Sequence, residues 1–540
     1  MSFPRNMWLL FLLVGAKLGR AATASDFSAK CQSFQPERLV KNSTRTRLEY
    51  VASGTTIQLD DNVPSCGRTS QVVDANICRV ALQIPTSNRS SLSFELWLPE
   101  RWDEKRYVAT GNGGVDGCIK YEDIAYGVKN GFAAMGTNNG HNGTTGVDFL
   151  NNEDVVVDFS YRALHTGTVS AKTLIQEFYN SPPAKSYYIG CSLGGRQGIS
   201  AAERFPEDYD GILAGAPAVD FNHLYSLRAR MFTVTGSPGS PDYIPVATWS
   251  GLIHNEVLAQ CDTLDGVADG IIEIANKCHF DPTKLLCRAD QADQAGTACL
   301  SRAQISQVQT VYAPYTYANG TLIWPRMNAG AEILASAGLL AGRPFSPSVE
   351  WFRYAVLSDP NWDPASYGLA DAEAAETANP GGIRTFPESL PAFKARGGRI
   401  VTYHGEQDQQ IWSTNSERFY ERLVAADGGL DSYLRFFRIS GMNHCASGPG
   451  AWMFGQGGSS AVIPFEPERN AFAALVAWVE KGQAPDTITG TKFVNDSVDQ
   501  GVDFQRSHCR YPLEQTYMAG PSKQPASWKC LPPSKSPSEI

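Results

Sequence analysis

No segment of this 540-residue chain, its N-terminus included, holds the ~18 uninterrupted apolar residues that a transmembrane helix needs. This argues against a helical membrane protein. Positive charge is not in excess either: the formal net charge is −9, which argues against nucleic acid and against an anionic membrane surface as partners. No internal repeat or low-complexity tract is present apart from a Pro/Ser-rich tail after Pro521. Charged residues make up only 19% and hydrophobic residues 42%, the balance of a globular protein and not of a disordered or fibrous one. The length accommodates one large domain or two to three ordinary ones.

The first apolar run is short. Arg5 precedes Met7 to Val14 (MWLLFLLV), and small residues follow at Ala21, Ala22 and Ala24. Eight apolar residues cannot span a bilayer, so a membrane anchor is the weaker reading. The layout predicts a cleavable signal peptide over residues 1–24, cut between Ala21 and Ser25, and a secreted, extracellular protein. All twelve cysteines lie beyond it. In an oxidising compartment an even number predicts six disulfides, which at this density would staple a fold that already has a core. Five N-x-[ST] sequons, at Asn42, Asn88, Asn142, Asn319 and Asn495, fit an exported glycoprotein.

From Ser91 to Ala218 the pattern alternates strand and helix. Ser91 to Pro99 (SLSFELWLP) alternates apolar and polar residues as a half-buried strand does. Arg106 to Thr110, Gly131 to Gly136, Lys185 to Gly190 and Gly211 to Ala216 read as further strands. Tyr161 to Tyr179 reads as an amphipathic helix, and another helix runs from Ser192 to about Phe205. Such alternation predicts an α/β fold with a mostly parallel sheet covered on both faces. From Val219 to Pro391 the rhythm fails in a stretch rich in Gly, Pro, Trp and Tyr. Strands resume at Arg399 to His404 and Tyr433 to Ile439, with a helix around Asn415 to Ala426. The expected organisation is a catalytic domain made of 25–218 and 392–540, with 219–391 inserted as a lid.

Gly190-Cys191-Ser192-Leu193-Gly194 is a G-x-S-x-G between an expected strand and an expected helix. There the glycines permit a turn so sharp that the serine is left exposed at the top of the sheet. This is the nucleophile position of an α/β-hydrolase fold. A serine needs a base and the base needs a carboxylate, in the chain order Ser, Asp or Glu, His. Of the eight histidines only His404, His444 and His508 follow the resumed sheet. His444 sits just after the strand ending at Ile439 and is the expected base. His404 lies within a strand and reads as a packed or capping residue, and His508, near the tail, reads as surface. Asp408, a short turn after His404, is the expected acid, with Glu406 as the alternative. Cys191 precedes the serine and Cys445 follows the histidine, so a formed triad would bring the two cysteines towards disulfide distance. Unrelated pairings, or Cys191 itself as the nucleophile, are the competing readings, the last disfavoured in an oxidising compartment.

The Cys191-Ser192, Asp408, His444-Cys445 arrangement resembles the tannase and feruloyl esterase family of secreted hydrolases, over nearly the whole mature chain including the insertion. The resemblance implies the pairings Cys31–Cys78, Cys66–Cys118, Cys191–Cys445, Cys261–Cys278, Cys287–Cys299 and Cys509–Cys530. It implies a serine esterase that releases ferulic and related hydroxycinnamic acids from esterified plant cell-wall polysaccharide, without an organic cofactor. A tannase acting on gallate esters is the alternative. A serine carboxypeptidase and an inactive binding protein on the same fold are more distant ones. An aromatic acyl group needs an apolar slot, for which Trp324, Trp351, Trp362 and Phe345 of the insertion are the expected walls.

Ester hydrolysis builds charge on the carbonyl oxygen, which two backbone N–H groups commonly stabilise. Leu193, next after the serine, supplies one expected donor, and Gly114 of the Gly111-Asn112-Gly113-Gly114 loop the other, with Gly113 close behind. Within the insertion, Asp262, Asp265 and Asp269 fall in eight residues broken by Gly266. Hard oxygen ligands of this kind suit Ca²⁺, although the spacing is not that of an EF-hand. The family resemblance implies a structural calcium loop of Asp262, Asp265 and Asp269 with the carbonyls of Val267 and Ile271.

Overall fold

A computed structural model describes residues 24–533. The signal segment, up to residue 23, lies outside the described residues. Nine strands form one sheet: β1 (Thr44–Val51), β2 (Ile77–Pro85), β3 (Ser91–Pro99), β4 (Arg106–Thr110), β5 (Phe132–Thr137), β6 (Lys185–Cys191), β7 (Gly211–Gly215), β8 (Arg399–Gly405) and β9 (Leu434–Ile439). Their order is β1-β2-β3-β5-β4-β6-β7-β8-β9. Pairing from β5 to β9 is parallel, while β1–β2, β2–β3 and β3–β5 are antiparallel. The sheet is thus mostly parallel, as expected, with an antiparallel edge that begins in residues 44–85.

Alternation along the strands sends side chains to two separate cores, as a pleated strand must. Tyr107 and Ala109 of β4 and Tyr188 of β6 face one core with helices α2 (Ala163–Tyr179), α3 (Leu193–Arg204) and α5 (Thr414–Ala426). Val108, Tyr187 and Ile189 face the other with α1 (Tyr121–Lys129) and α6 (Ala471–Lys481). The helix expected from Tyr161 begins at Ala163, behind a π-helical turn at Asp158–Arg162.

Residues between β7 and β8 form an insert of short helices led by α4 (Phe221–Thr235). The insert builds an apolar core together with Phe149, Phe159 and Trp412 from outside it, and this is where the expected pocket walls went. Trp324 and Trp351 are fully buried in it, Trp362 is 8% exposed, and Phe345 packs against its side. A segment this long must bury its own apolar surface, and large rings are the efficient way to do so. Hydrogen bonds seat the insert on the turn after β8, and Gln407 Nε2 of that turn donates to the Ile272 carbonyl (3.1 Å). Arg228 Nε donates to the Gln410 carbonyl (3.1 Å), Ala275 N–H to Glu406 Oε2 (3.0 Å) and Asn328 Nδ2 to Ser413 Oγ (2.7 Å).

Beyond α6 the chain forms two hairpins, Thr487–Phe493 with Val502–Cys509 and Glu514–Tyr517 with Trp528–Leu531. His508 belongs to the first of these and is fully buried, not on the surface. Its Nε2 lies 2.9 Å from the Ala451 carbonyl, and burial pushes its pKa down to about 4. Being near the end of the sequence did not make it exposed, because the hairpin packs back onto the 451–453 loop. The disulfides are Cys31–Cys78, Cys66–Cys118, Cys191–Cys445, Cys261–Cys278, Cys287–Cys299 and Cys509–Cys530. Among the described residues no helix is long and apolar enough to cross a membrane.

Candidate active site

The C-terminal ends of β6, β8 and β9 point three loops at one place. After β6 the chain turns at Ser192 with φ +66° and ψ −123° before entering α3. A non-glycine residue reaches that backbone only at a cost, and such strain gathers at functional sites. Gly190 makes the turn sterically feasible, since a Cβ there would stand 2.9 Å from the carbonyl carbon of Gly194. The turn is pinned by Ser192 N–H donating to the Gly215 carbonyl at the end of β7 (2.9 Å).

Ser192 Oγ lies 2.9 Å from His444 Nε2, and His444 Nδ1 lies 2.6 Å from Asp408 Oδ2. Nδ1 faces a carboxylate, so it carries the hydrogen and leaves Nε2 free to accept from the serine hydroxyl. The Asp408 carboxylate is fully buried. Its Oδ1 accepts the backbone N–H groups of Gln410 (2.7 Å) and Ile411 (2.8 Å). Burial alone would raise its pKa. His444 and then His404 outweigh burial and hold the carboxyl well below the usual carboxylate range. Glu406, the alternative acid, faces away: Oε2 accepts from Ala275 N–H and Oε1 from Ser413 Oγ (3.2 Å). Burial, partly countered by Arg438, pushes its carboxyl up to about 7.

His404 does more than pack. Its Nε2 lies 3.1 Å from Asp408 Oδ2 and 2.7 Å from the Ile411 carbonyl, both pure acceptors, so that nitrogen carries a hydrogen. Its Nδ1 meets Ser416 Oγ at 2.7 Å. Two imidazoles therefore converge on one carboxylate oxygen. The sequence contained no signal for this, since a buried strand histidine reads as core. Gln409 is another such residue: its Oε1 accepts the backbone N–H of His444 (3.0 Å) and fixes the histidine loop.

Cys191 and Cys445 are bonded, with Cα atoms 6.0 Å apart and a sequence separation of 254. The bond joins the residue before Ser192 to the residue after His444. It also leaves Cys191 without a thiolate, which removes it as a nucleophile.

As the first residue of α3, Leu193 has a backbone N–H with no intrahelical acceptor. In the facing loop, Gly113 and Gly114 both line the cavity that contains Ser192 and His444; Gly113 N–H is taken by Asp116 Oδ1 (3.2 Å), and Gly114 has φ +48°. The loop is braced by Asn112, whose Nδ2 donates to the carbonyls of Thr137 (2.8 Å) and Cys118 (3.0 Å). These atoms can perform acyl transfer: a hydroxyl with a base beside it, a carboxylate orienting the base, and amide donors on the opposite side. None of Trp324, Trp351, Trp362 and Phe345 lines this cavity.

The 262–271 loop presents a charge problem that suits a cation. Asp265 Oδ2 is buried without a partner. Burial, with the charges of Glu273 and Asp269 and against the Val267 N–H bond, pushes the Asp265 carboxyl up to about 7. Asp262 accepts from Gly270 N–H (3.0 Å), and Asp269 Oδ2 accepts from Arg506 of the C-terminal hairpin (3.1 Å). An orphaned oxygen beside two further carboxylates fits a hard divalent ion in donor chemistry. Among the described residues, the group whose ligand atoms already lie within 4.8 Å of one another is a different one, Asp220, His223 and Glu376. There Arg384 and Arg418 already supply the positive charge.

Residues 78–351 and 382–531 match the family described as "Tannase and feruloyl esterase". A protein of Aspergillus flavus named "Probable feruloyl esterase B-2" is 52% identical, over 94% of this chain and 98% of its own. The crystal structure of feruloyl esterase B from Aspergillus oryzae has a TM-score of 0.90 at 40% identity, covering 94% of this chain and 100% of that one. The tannin acyl hydrolase from Aspergillus niger has a TM-score of 0.70 at 20% identity, covering 94% and 95%, and so shares the fold. The chain belongs to the tannase and feruloyl esterase family.

Proposed function

We propose that this chain is a secreted feruloyl esterase, a serine carboxylic-ester hydrolase that releases ferulic and related hydroxycinnamic acids from esterified plant cell-wall polysaccharide. The observation that carries it is the unbroken chain Ser192 Oγ, His444 Nε2, His444 Nδ1, Asp408 Oδ2, at 2.9 and 2.6 Å. It occurs in a protein whose relative at 52% identity is named a feruloyl esterase. Ser192 attacks the ester carbonyl as His444 takes its proton. Asp408 keeps the imidazole in the accepting tautomer and stabilises its charged form. The N–H groups of Leu193 and Gly114 hold the oxyanion, the alcohol departs with the proton from His444, and water reverses the steps. The disulfide beside both Ser192 and His444 keeps the pair in register.

The preference for cinnamates over gallates follows the relatives, since likeness to the tannin acyl hydrolase is at the level of fold. Initial rates on methyl ferulate, methyl p-coumarate and methyl gallate test it. Faster turnover of both cinnamates is expected. A clear preference for gallate would make the enzyme a tannase and leave the triad standing. No turnover of any of the three would remove the esterase reading.

Export rests on the N-terminal signal pattern and six disulfides, and glycosylation on five sequon asparagines that are all exposed. For the 262–271 loop the reading is structural Ca²⁺ held by Asp262, Asp265 and Asp269 with the Val267 and Ile271 carbonyls. The ion would neutralise the orphaned Asp265 oxygen and lock the insert against the C-terminal hairpin. Removing it with a chelator is expected to lower Tm by several degrees, with Ca²⁺ restoring it and Mg²⁺ restoring less. An identical Tm with and without chelator, in protein shown by metal analysis to have been loaded, would end the calcium reading.

A further inference from the structure

A cavity of ≈490 Å³ opens beside Ser192, His444 and Gly114. Its far side is the start of α1, with Glu122 and Asp123, and the Gly457–Gly458–Ser459 loop that packs directly on it. The packing is close: a Cβ at Gly458 would stand 2.8 Å from the backbone of Glu122. Asp123 Oδ1 accepts the N–H of Gly458 at 2.7 Å. Its other oxygen accepts no hydrogen bond from the described residues, and Asp123 is one of the residues that line the cavity. Burial, and Glu122 beside it, push its carboxyl up to about 6. Gln410 also lines the cavity.

The chemistry of the reaction decides which half of an ester enters here. His444 Nε2 must hand its proton to the departing oxygen, so the alcohol half leaves on the side of His444. This cavity is lined by His444 and Cys445 and by the charged residues Lys120, Glu122 and Asp123. The apolar core of the insert instead reaches the nucleophile through Leu193 and Val115, neither of which lines the cavity. A polyhydroxylated alcohol finds hydrogen-bond acceptors among these residues, which an aryl acyl group would not use. We propose that this cavity is the leaving-alcohol subsite and that Asp123 is its specificity-determining residue, accepting hydroxyl hydrogens of a sugar. This rests on the esterase reading of Ser192.

Two measurements test it. In Asp123→Asn the Gly458 contact keeps its acceptor, while the cavity face loses its charge. The ratio of kcat/KM for a ferulate ester of a methyl pentoside to that for methyl ferulate is expected to fall about tenfold. Asp123→Ala should lower the ratio further. An unchanged ratio, whether both esters slow equally or neither slows, would overturn the proposal and leave Asp123 as a brace for the glycine loop. The second measurement uses the wild-type protein. Methyl ferulate is turned over with methyl pentoside added as an acceptor. A pentoside hydroxyl oxygen bonds to the acyl carbon, its proton passes to His444, the acyl–Oγ bond breaks and Ser192 recovers the proton. Pentoside ferulate should form with a rate that saturates in pentoside, because a binding site fills. Non-saturating or absent transfer would overturn the subsite. Wild-type protein inert towards methyl ferulate itself would instead overturn the esterase reading on which the subsite depends.

Discussion

Ser192→Ala is expected to lower kcat on methyl ferulate by about four to six orders of magnitude while leaving Tm within about a degree. The size of the loss follows from the arrangement around the hydroxyl. Ser192 Oγ bonds His444 Nε2, and the nearest other nucleophilic atom, Cys191 Sγ, is committed to Cys445. No second group can take over the attack. What survives is catalysis by the amide donors and by binding, and these act on water only weakly. The small effect on stability follows from the backbone: alanine meets the same φ of +66° as serine, so the strain at the turn is unchanged. Intact-mass analysis after treatment with a sulfonyl fluoride provides a second readout. One adduct should form on the wild-type protein and none on the variant. Retention of more than about one per cent of wild-type kcat, with the same pH profile, would mean that another residue carries the attack.

Most of the fold was legible because the sheet obeys two simple periodicities. Ser91–Pro99, Arg106–Thr110 and Lys185–Cys191 are strands at nearly the residues where the pattern predicted them. Apolar side chains there must alternate between two cores, and glycine or proline marks the ends. Strands β1 and β2 were not legible in the same way. β1 runs at the sheet edge with exposed and half-exposed positions and a register shift between Arg45 and Arg47, so its alternation is weak. The insert's interior was misread for the opposite reason. Trp324 and Trp351 are large apolar rings in a segment expected to be a lid, which makes them look like substrate contacts. Nothing in a one-dimensional pattern tells a ring that fills an insert's own core from a ring that lines its mouth.

The site divides along a similar line. Ser192, Asp408 and His444 were legible because each follows a strand, and the chemistry demands one hydroxyl, one carboxylate and one imidazole in that order. Choosing Asp408 over Glu406 needed the turn itself, which aims Glu406 at Ala275 and Ser413. His404, Gln409 and Asp123 were not singled out as functional because their contacts depend on how the turn after β8 folds and on packing between distant segments. His404 meets Asp408 only after the turn folds back on its own strand, and Asp123 meets Gly458 across 335 residues.

Asp408→Asn is expected to cost about four orders of magnitude in kcat and, unlike the serine variant, to lower stability as well. The reason is a count of donors. Oδ2 receives His444 Nδ1–H and His404 Nε2–H, and Oδ1 receives the N–H groups of Gln410 and Ile411. An asparagine must put its NH₂ on one side or the other. On the Oδ1 side it confronts two backbone donors that cannot change. On the Oδ2 side His404 cannot give up its hydrogen, because Nε2 also faces the Ile411 carbonyl. His444 can, and then the proton moves to Nε2, where it opposes the Ser192 hydroxyl and abolishes its role as base. Each unmet buried donor costs about 1–3 kcal/mol. The linkage has a definite sign. The folded pKa of Asp408 is depressed, so the stability it contributes is complete above the usual carboxylate pKa of about 4 and is lost as pH falls below it. The gap in Tm between wild type and Asp408→Asn should therefore be widest near neutrality and narrow in acid. Glu406→Gln supplies the contrast, since its oxygens meet a backbone N–H and a hydroxyl and neither His444 nor Ser192. It should keep kcat within about tenfold of wild type. Loss of activity in Glu406→Gln with Asp408→Asn left active would exchange the two carboxylates and dissolve the role of the His404–Asp408–His444 cluster.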